Sequence, residues 1–451
     1  MRKQISRFTI DTSITFVTRI FRLVLGIGSS IIIARVLGPQ GKGIYSLVIL
    51  LPELLEMFGN FGIGQASVFF IGKKKYSPGE ILVNNIILSF LLGIIGFLIG
   101  LMIILFFSSS LFPGVAKVYL FLTLFLIPLQ FFLNFVTYLL LGLQRIKEFN
   151  FIGIFQSFMF LISLLIFLLV FKLGIKAVIA ADILSCFVGV VVLFYLTKRI
   201  IGNVHLHFNK SYFKDVFRYG TKVYLGNIIG FLHYRIDIFL INIFLNPIHV
   251  GFYSIATTLS EKVWLVSQSA GTVLFPKVSS ETDEKRLKNF TPLVCRNVLL
   301  ITAIGAILLF VLSYWFIILL YSNKFLNSVL PFQILLIGSV TMSGWRILAN
   351  DLYGRGKPEL NIYISLASVA LNIILNILWI PNFGITGAAW ATSISYTFAF
   401  ILIVIVYAKI SKNSIVRVIL IEKSDIVLYR NIILSVYFNI KKIKYNKIIN
   451  N

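Results

Sequence analysis

Eight charged side chains lie within long apolar stretches of this sequence, where a charge is expected to serve a purpose. The four cations are Arg19, Arg22, Arg235 and Lys262, and the four acids are Glu53, Glu56, Glu261 and Asp237. In a helix surrounded by lipid, a charge costs roughly 2.5 to 3.5 kcal/mol and should line an aqueous cavity or find a partner. Arginine binds anionic oxygens through its forked donors. A carboxylate can take up a proton.

The apolar stretches that position these charges predict membrane-spanning helices. Of the 451 residues, 58% are hydrophobic and 13% charged, whereas a soluble domain carries about 25% charged residues. About 20 apolar residues are needed to cross a bilayer as a helix, and the alternating strands of a barrel are not evident. Twelve segments qualify: 10–34, 44–71, 81–107, 117–141, 149–171, 176–197, 217–244, 249–276, 290–320, 326–351, 360–380 and 384–408. The predicted fold is an all-α integral membrane protein.

The positive residues predict the orientation of these spans. With the N-terminus inside, 27 of the 41 Lys and Arg fall in inner loops and tails, 6 in outer loops when the first residues of two spans, Lys117 and Lys176, are counted there, and 8 deeper within spans. Cytoplasmic loops collect positive residues, so both termini are predicted to be cytoplasmic. The net charge of +25 is therefore explained by topology, and no nucleic-acid partner is predicted.

An internal repeat of about 210 residues is predicted from a motif that recurs after the first span of each half. Leu37, Pro39, Gly43, Tyr45 and Ser46 recur as Leu245, Pro247, Gly251, Tyr253 and Ser254, and Glu53 recurs as Glu261. Six spans per copy give two parallel six-helix bundles, an architecture found among transporters. The predicted division is a first bundle over 1–200, a cytoplasmic linker over 201–216, a second bundle over 217–408 and a basic cytoplasmic tail over 409–451.

Short motifs along residues 8–408 resemble a known family. They are Ala34–Ser46, Gly142–Asn150, Arg235–Asp237, Val250–Ala256 and Leu274–Pro276. The chain resembles the polysaccharide biosynthesis (O-antigen and capsule) flippases of the multidrug, oligosaccharidyl-lipid and polysaccharide exporter superfamily. The resemblance implies two bundles in a V shape that move an undecaprenyl-pyrophosphate-linked oligosaccharide across the cytoplasmic (inner) membrane by alternating access. Relatives that flip the peptidoglycan precursor have fourteen spans, so twelve spans favour the O-antigen or capsule branch. Membrane lipids, a polysaccharide polymerase and chain-length machinery are the implied partners.

Roles for the eight charges follow from that resemblance. Pyrophosphate is a compact anion, so the cations are assigned to substrate binding, with Arg19 and Arg22 at the headgroup. The alternative is that these two arginines pair with Glu53 and Glu56 and only hold the bundle together. The four acids are assigned to ion coupling: the eight charges sum to zero, and protonating an acid would release an arginine for the substrate. Glu53 and Glu261 occupy equivalent places in the repeat and are the first candidates for this switch.

Other polar groups are assigned less specific roles. Arg218, Lys222, Arg296 and Arg346 fall near inner span ends, where snorkelling to the headgroups suffices. Asn372 and Asn376 suit either a sugar or an interhelical hydrogen bond. The tail stretch 426–440 suits either an amphipathic helix on the inner leaflet or a solvated tail. Asp182 falls near an outer end.

Two other functions compete with flipping. A cation-coupled multidrug exporter of the same superfamily predicts a cavity of acids and aromatics, which the three arginines do not fit. A membrane-bound glycan polymerase or ligase would need a substantial outer loop, and the longest outer gap is about nine residues, so no enzyme is predicted. The sequence lacks a P-loop, and His205 and His207 lack acidic or cysteine companions, so neither a cofactor nor a metal is predicted.

Overall fold

The computed structural model describes residues 2–202, 208–281, 283–422 and 425, and within these ranges the chain is helical without strands. The α-helices are α1 (Arg2–Gly59), α2 (Ile63–Gly72), α3 (Pro78–Leu111), α4 (Lys117–Thr123), α5 (Leu126–Gly142), α6 (Ile146–Leu165), α7 (Ile175–Ile201), α8 (Lys210–Phe244), α9 (Pro247–Ser260), α10 (Leu265–Ser280), α11 (Glu284–Tyr321), α12 (Val329–Gly354), α13 (Pro358–Ser411) and α14 (Ile415–Ile419). A π-helix follows α6 (Ile166–Val170), and 3-10 turns precede α10 (Glu261–Trp264) and α12 (Asn323–Ser328).

The all-α fold is confirmed, and the predicted spans lie largely on helical chain. α13 covers two predicted spans and is interrupted at Gly384. α1 covers the first predicted span and, past an interruption at Gly38, most of the second, 44–71, which continues into α2. Eight segments of the described chain are long and apolar enough to cross a membrane. Neither α8 nor the α9–α10 segment is among them, because their many polar residues dilute the apolar pattern. The crossing by these helices, and hence the count of twelve, stays a prediction.

Gly174 and Gly384 lie 210 residues apart, close to the predicted repeat length, and they share a backbone conformation. Gly174 has φ 60° and ψ −135°, and Gly384 has φ 60° and ψ −143°. Glycine is the residue that adopts this region without strain. Helical residues follow each glycine, so the same backbone conformation precedes a helical segment at corresponding places in the two halves. This agreement supports the predicted repeat, which stays a prediction.

The chain folds into two compact units, and each unit consists of three separate segments. The first comprises Met1–Thr258, Leu312–Ile334 and Val369–Thr392. One of its apolar clusters joins α1, α6 and α7 through buried residues such as Ile33, Leu164 and Val178. The predicted bundles over 1–200 and 217–408 remain a prediction.

The second unit comprises Leu259–Val311, Leu335–Ser368 and Ser393–Asn451. Its apolar cluster includes Cys295, Ile347 and Tyr407, and it extends past the last predicted span to Val418 of α14, which is fully buried. The start of the tail is therefore packed onto the helices of this unit. The tail stretch 426–440 lies outside the described residues.

The snorkelling role predicted for Arg296 is wrong. This side chain is 4% exposed and forms ion pairs with Asp425 and Glu422, which lie beyond the last predicted span. A sequence reading by depth could not anticipate these partners, because they are more than 120 residues away. Arg346 stacks on the ring of Trp264 at 4.5 Å from its centroid. Arg218 is exposed, and the side chain of Lys222 lies outside the description.

Candidate functional site

Arg19 and Arg22 lie on α1 with exposed side chains. Neither forms an ion pair with any residue that the structure describes, so the alternative in which they pair with Glu53 and Glu56 is not seen. The Arg22 guanidinium lies against Gly153 of α6, where an added Cβ would come within 2.7 Å of Nη1. The glycine thus leaves room for the guanidinium beside α6, and both arginines keep their donors for an anion.

Glu53 and Arg235 are two predicted site residues that the structure brings together. The Arg235 Nε lies 4.0 Å from Glu53 Oε2, and the side chains are 33% and 39% exposed. The contact joins the second half of α1 to α8. At this distance and exposure the pair is a weak electrostatic link rather than a rigid clamp.

Glu56 is held by amides instead of by a cation. Its Oε1 accepts hydrogen bonds from Asn60 Nδ2 at 3.0 Å and from Asn134 Nδ2 at 2.9 Å. Asn134 lies on α5 and was not singled out from the sequence, because a lone asparagine in an apolar helix carries no spacing signal. The two amides give Glu56 neutral hydrogen-bond donors in place of a cation.

Asp237 is the most deeply buried of the eight charges, at 2% exposure. Its Oδ2 accepts hydrogen bonds from the hydroxyls of Tyr253 and of Thr392, the latter at 3.3 Å. Asn372 donates to Thr392 at 3.4 Å, and Asn376 donates to Asn372 Oδ1 at 3.0 Å. Asn372 and Asn376 therefore join a polar cluster on α8, α9 and α13, and the Oδ1 of Asn376 is buried without a donor among the described residues.

A second tyrosine contact lies in the first half of the chain. The Tyr45 hydroxyl donates to Asp182 Oδ2 at 3.3 Å. In the second half, the Tyr253 hydroxyl shares a hydrogen bond with the Thr392 hydroxyl at 3.1 Å. Tyr45 and Tyr253 are 208 residues apart, and Asp182 and Thr392 are 210 apart. The two halves thus repeat the contact, but the acid lies on a different helix in each.

Glu261 and Lys262 belong to the second compact unit. Both are half-buried and lie in the 3-10 turn that divides the predicted span 249–276 into α9 and α10. The change of helix type places both residues at a local break in the helix. The switch role of Glu261 stays a prediction.

No group of three or more His, Cys, Asp and Glu residues with the geometry of a metal site occurs among the described residues. His205 and His207 lie outside that description.

Comparison with known proteins identifies the family. A family model described as "Polysaccharide biosynthesis protein" matches residues 32–330. A probable low-salt glycan biosynthesis flippase of Haloferax volcanii is 28% identical over 192 residues, covering 41% of this chain and 39% of the relative. The capsular polysaccharide biosynthesis protein CapF of Staphylococcus aureus is 23% identical over 389 residues, covering 82% and 92%. The match to the Haloferax protein thus spans well under half of that relative.

Among solved structures, the lipid II flippase MurJ in an inward closed conformation has a similar fold. The TM-score is 0.72 at 17% sequence identity, and the match covers 96% of this chain and 99% of that one. At this identity the likeness shows the fold alone. The chain therefore shares the fold of that solved structure.

Proposed function

Because the chain belongs to the polysaccharide biosynthesis protein family, we propose that it flips an undecaprenyl-pyrophosphate-linked oligosaccharide to the outer leaflet of the cytoplasmic membrane. It is a multi-pass membrane transporter of the polysaccharide flippase family and not an enzyme. The product would serve O-antigen or capsule synthesis, with a polymerase and chain-length machinery as downstream partners. Both termini would lie in the cytoplasm.

The observation that carries this proposal is the state of Arg19 and Arg22. The two guanidinium groups are three residues apart and exposed. They have no acidic partner among the described residues. Together they present several hydrogen-bond donors to one anion. A pyrophosphate matches such a pair because each fork can bind two oxygens. Arg235 carries a weaker version of the same chemistry, since Glu53 shares its charge. Lys262 completes the proposed set of substrate-binding cations.

Asp237 is the acid best placed for ion coupling, ahead of Glu53, Glu56 and Glu261. A carboxylate in a low-dielectric interior strongly favours taking up a proton or a cation. Oxygens of Thr392, Asn372 and Asn376 lie in the same cluster, and hydroxyl and amide oxygens are ligands of hard cations. Occupancy of this cluster would then bias the conformations of α8 and α13, which is how a gradient could drive flipping.

The multidrug exporter is the alternative function, and the buried acid Asp237 with its tyrosine partner would suit it too. The arginines suit an anion, and both curated relatives described above are named for glycan work.

The experiment is complementation of cells that lack their own oligosaccharide flippase. Surface polysaccharide and the inner-leaflet lipid-linked intermediate are measured for the wild-type chain, Arg19→Ala, Arg22→Ala and the matched control Arg218→Ala, which removes an exposed arginine of α8. Surface glycan should be restored by the wild type and the control and lost in the two α1 variants at equal protein level. Failure of the wild type with several donor glycans, together with resistance to cationic dyes, would favour the drug exporter.

A further inference from the structure

Two helical turns, 39–43 in α1 and 247–251 in α9, pack against each other reciprocally. They come one from each half of the predicted repeat and are predicted to lie on the outer side, so they are called the outer turns. A Cβ added at Gly43 would lie 1.7 Å from the carbonyl oxygen of Pro247, and a Cβ added at Gly251 would lie 2.0 Å from that of Pro39. The glycine of each turn therefore accepts the backbone of the other turn at a distance that no side chain allows.

Lys42 directly precedes Gly43 in the first of these turns. Its side chain is buried, with 7% exposure. The ammonium lies 5.8 Å from the ring centroid of Tyr45, and it has no hydrogen bond or ion pair to the residues that the structure describes. The hydroxyl of that tyrosine donates to Asp182. The lysine itself forms no ion pair with this carboxylate.

The fold does not require a lysine at this place. The corresponding residue of the second turn is Val250, which is fully buried. An apolar side chain thus fills the equivalent position, whereas a buried ammonium loses its hydration and needs an anion to compensate. The asymmetry between the two turns points to a ligand that the first turn binds and the second does not.

We propose that Lys42 binds a phosphate group when the outer turns separate, and that this group belongs to the lipid-linked substrate as it leaves. This inference rests on the proposed function. A phosphate ester or pyrophosphate is the anion that reaches the membrane interface with a lipid-linked glycan, and lysine binds phosphate as a point charge. Phospholipid headgroups present the same chemistry, so the experiment must separate the two sources.

The full-length protein is reconstituted in vesicles with a fluorescent undecaprenyl-pyrophosphate-linked trisaccharide, and flipping is followed by quenching with an impermeant reagent. Lys42→Val copies the second turn, and Lys42→Arg keeps the charge. We expect Lys42→Val to slow flipping by at least about tenfold, the loss typical of a charge-assisted hydrogen bond, and Lys42→Arg to stay within about threefold. Inorganic pyrophosphate should inhibit Lys42→Val less than the wild type, because Arg19 and Arg22 still bind it. Both variants should melt no lower than the wild type.

Vesicles of digalactosyldiacylglycerol, which contain no phosphate, separate the sources. Dependence on Lys42 in these vesicles assigns the phosphate to the glycan lipid, whereas dependence seen only after phosphatidylglycerol is added assigns it to a headgroup. Equal flipping and equal pyrophosphate inhibition in wild type and Lys42→Val would overturn the inference while leaving the proposed function intact.

If the wild type flips nothing, the proposed function fails, and the lysine is tested separately by binding. Inorganic pyrophosphate should then raise the melting temperature of the wild type in detergent more than that of Lys42→Val. An equal effect on the two proteins, or none on either, overturns the assignment of Lys42.

Discussion

Arg296 on α11 and Asp425 beyond α14 form an ion pair that is buried on both sides. Their side chains are 4% and 0% exposed, and Nη2 lies 2.9 Å from Oδ1. Arg296 also donates to the backbone oxygen of Arg417 at 3.0 Å. The guanidinium thus holds the chain that follows the last predicted span against the second compact unit. Val418 adds apolar burial between these contacts.

Replacing Asp425 by Ala should destabilise the second unit strongly, because the Arg296 guanidinium would stay buried without its carboxylate. Loss of one partner of a buried pair typically costs about 3 to 5 kcal/mol. The matched control is Glu422→Ala, which removes a carboxylate that is 35% exposed and should cost no more than about 1 kcal/mol. Thermal unfolding in detergent measures both, and equal melting temperatures for the two variants would contradict the role of the pair.

The same pair predicts how stability depends on pH. Burial alone would raise the pKa of Asp425, but hydrogen bonds from Arg296 and from the backbone N–H of Glu422 lower it below the ordinary value of 3.8. A lowered pKa in the folded state means that the stabilisation is present above that ordinary value. It is lost as the pH falls through the lowered pKa. Melting temperatures of the wild type and Asp425→Asn should therefore converge only in acid, and a difference that disappears near neutral pH would refute this.

The sequence predicts the helical class and the charged positions in apolar segments, because both depend on local composition. The recurrence of Pro39 and Gly43 as Pro247 and Gly251 predicted a repeat, and the structure adds the reason that these residue types recur: the two turns pack backbone to backbone. That packing could not be predicted, since a motif shows that two segments are alike but not that they touch.

The partners of the predicted charges were harder to predict. Asp182 was placed only near a span end, and neither Thr392 nor Asn134 was singled out, yet they bind Tyr45, Asp237 and Glu56. A single polar residue in an apolar helix gives no periodic signal, and its partner lies far away in the chain. Depth along a span is predictable from sequence, whereas the facing helix is decided by tertiary packing.

Gly43→Ala should prevent the two outer turns from closing. A methyl group would lie 1.7 Å from the Pro247 carbonyl oxygen, so the turns must move apart, at a typical overpacking cost of about 1 to 3 kcal/mol. Gly251→Ala should behave alike because the contact is reciprocal. The control is Gly305→Ala on α11, where nothing lies within 4 Å of the added carbon. Flipping rate and melting temperature should fall in the first two variants only; a normal rate in both would rule out the packing described.

Asp237→Asn should abolish the dependence of flipping on an ion or proton gradient. The amide keeps the shape of the side chain and its contact with Thr392 but cannot carry the charge. The control is Asp215→Asn, which removes a partly exposed carboxylate paired with Lys75 and should leave the dependence unchanged. Flipping is measured in vesicles with imposed proton or sodium gradients. A gradient response that survives in Asp237→Asn would assign coupling to another acid.

Glu53 and Arg235 should matter for transport more than for stability. Their atoms are 4.0 Å apart and both side chains are at least one third exposed, so losing the pair should cost less than about 1 kcal/mol. Glu53→Gln should therefore melt like the wild type but flip more slowly, since Arg235 without its acid would hold the anionic substrate more tightly and release it more slowly. Exchanging the two as Glu53→Arg with Arg235→Glu restores the pair, and a double-mutant cycle on flipping rate measures their coupling. Additive effects of the single variants would show that the two side chains act independently.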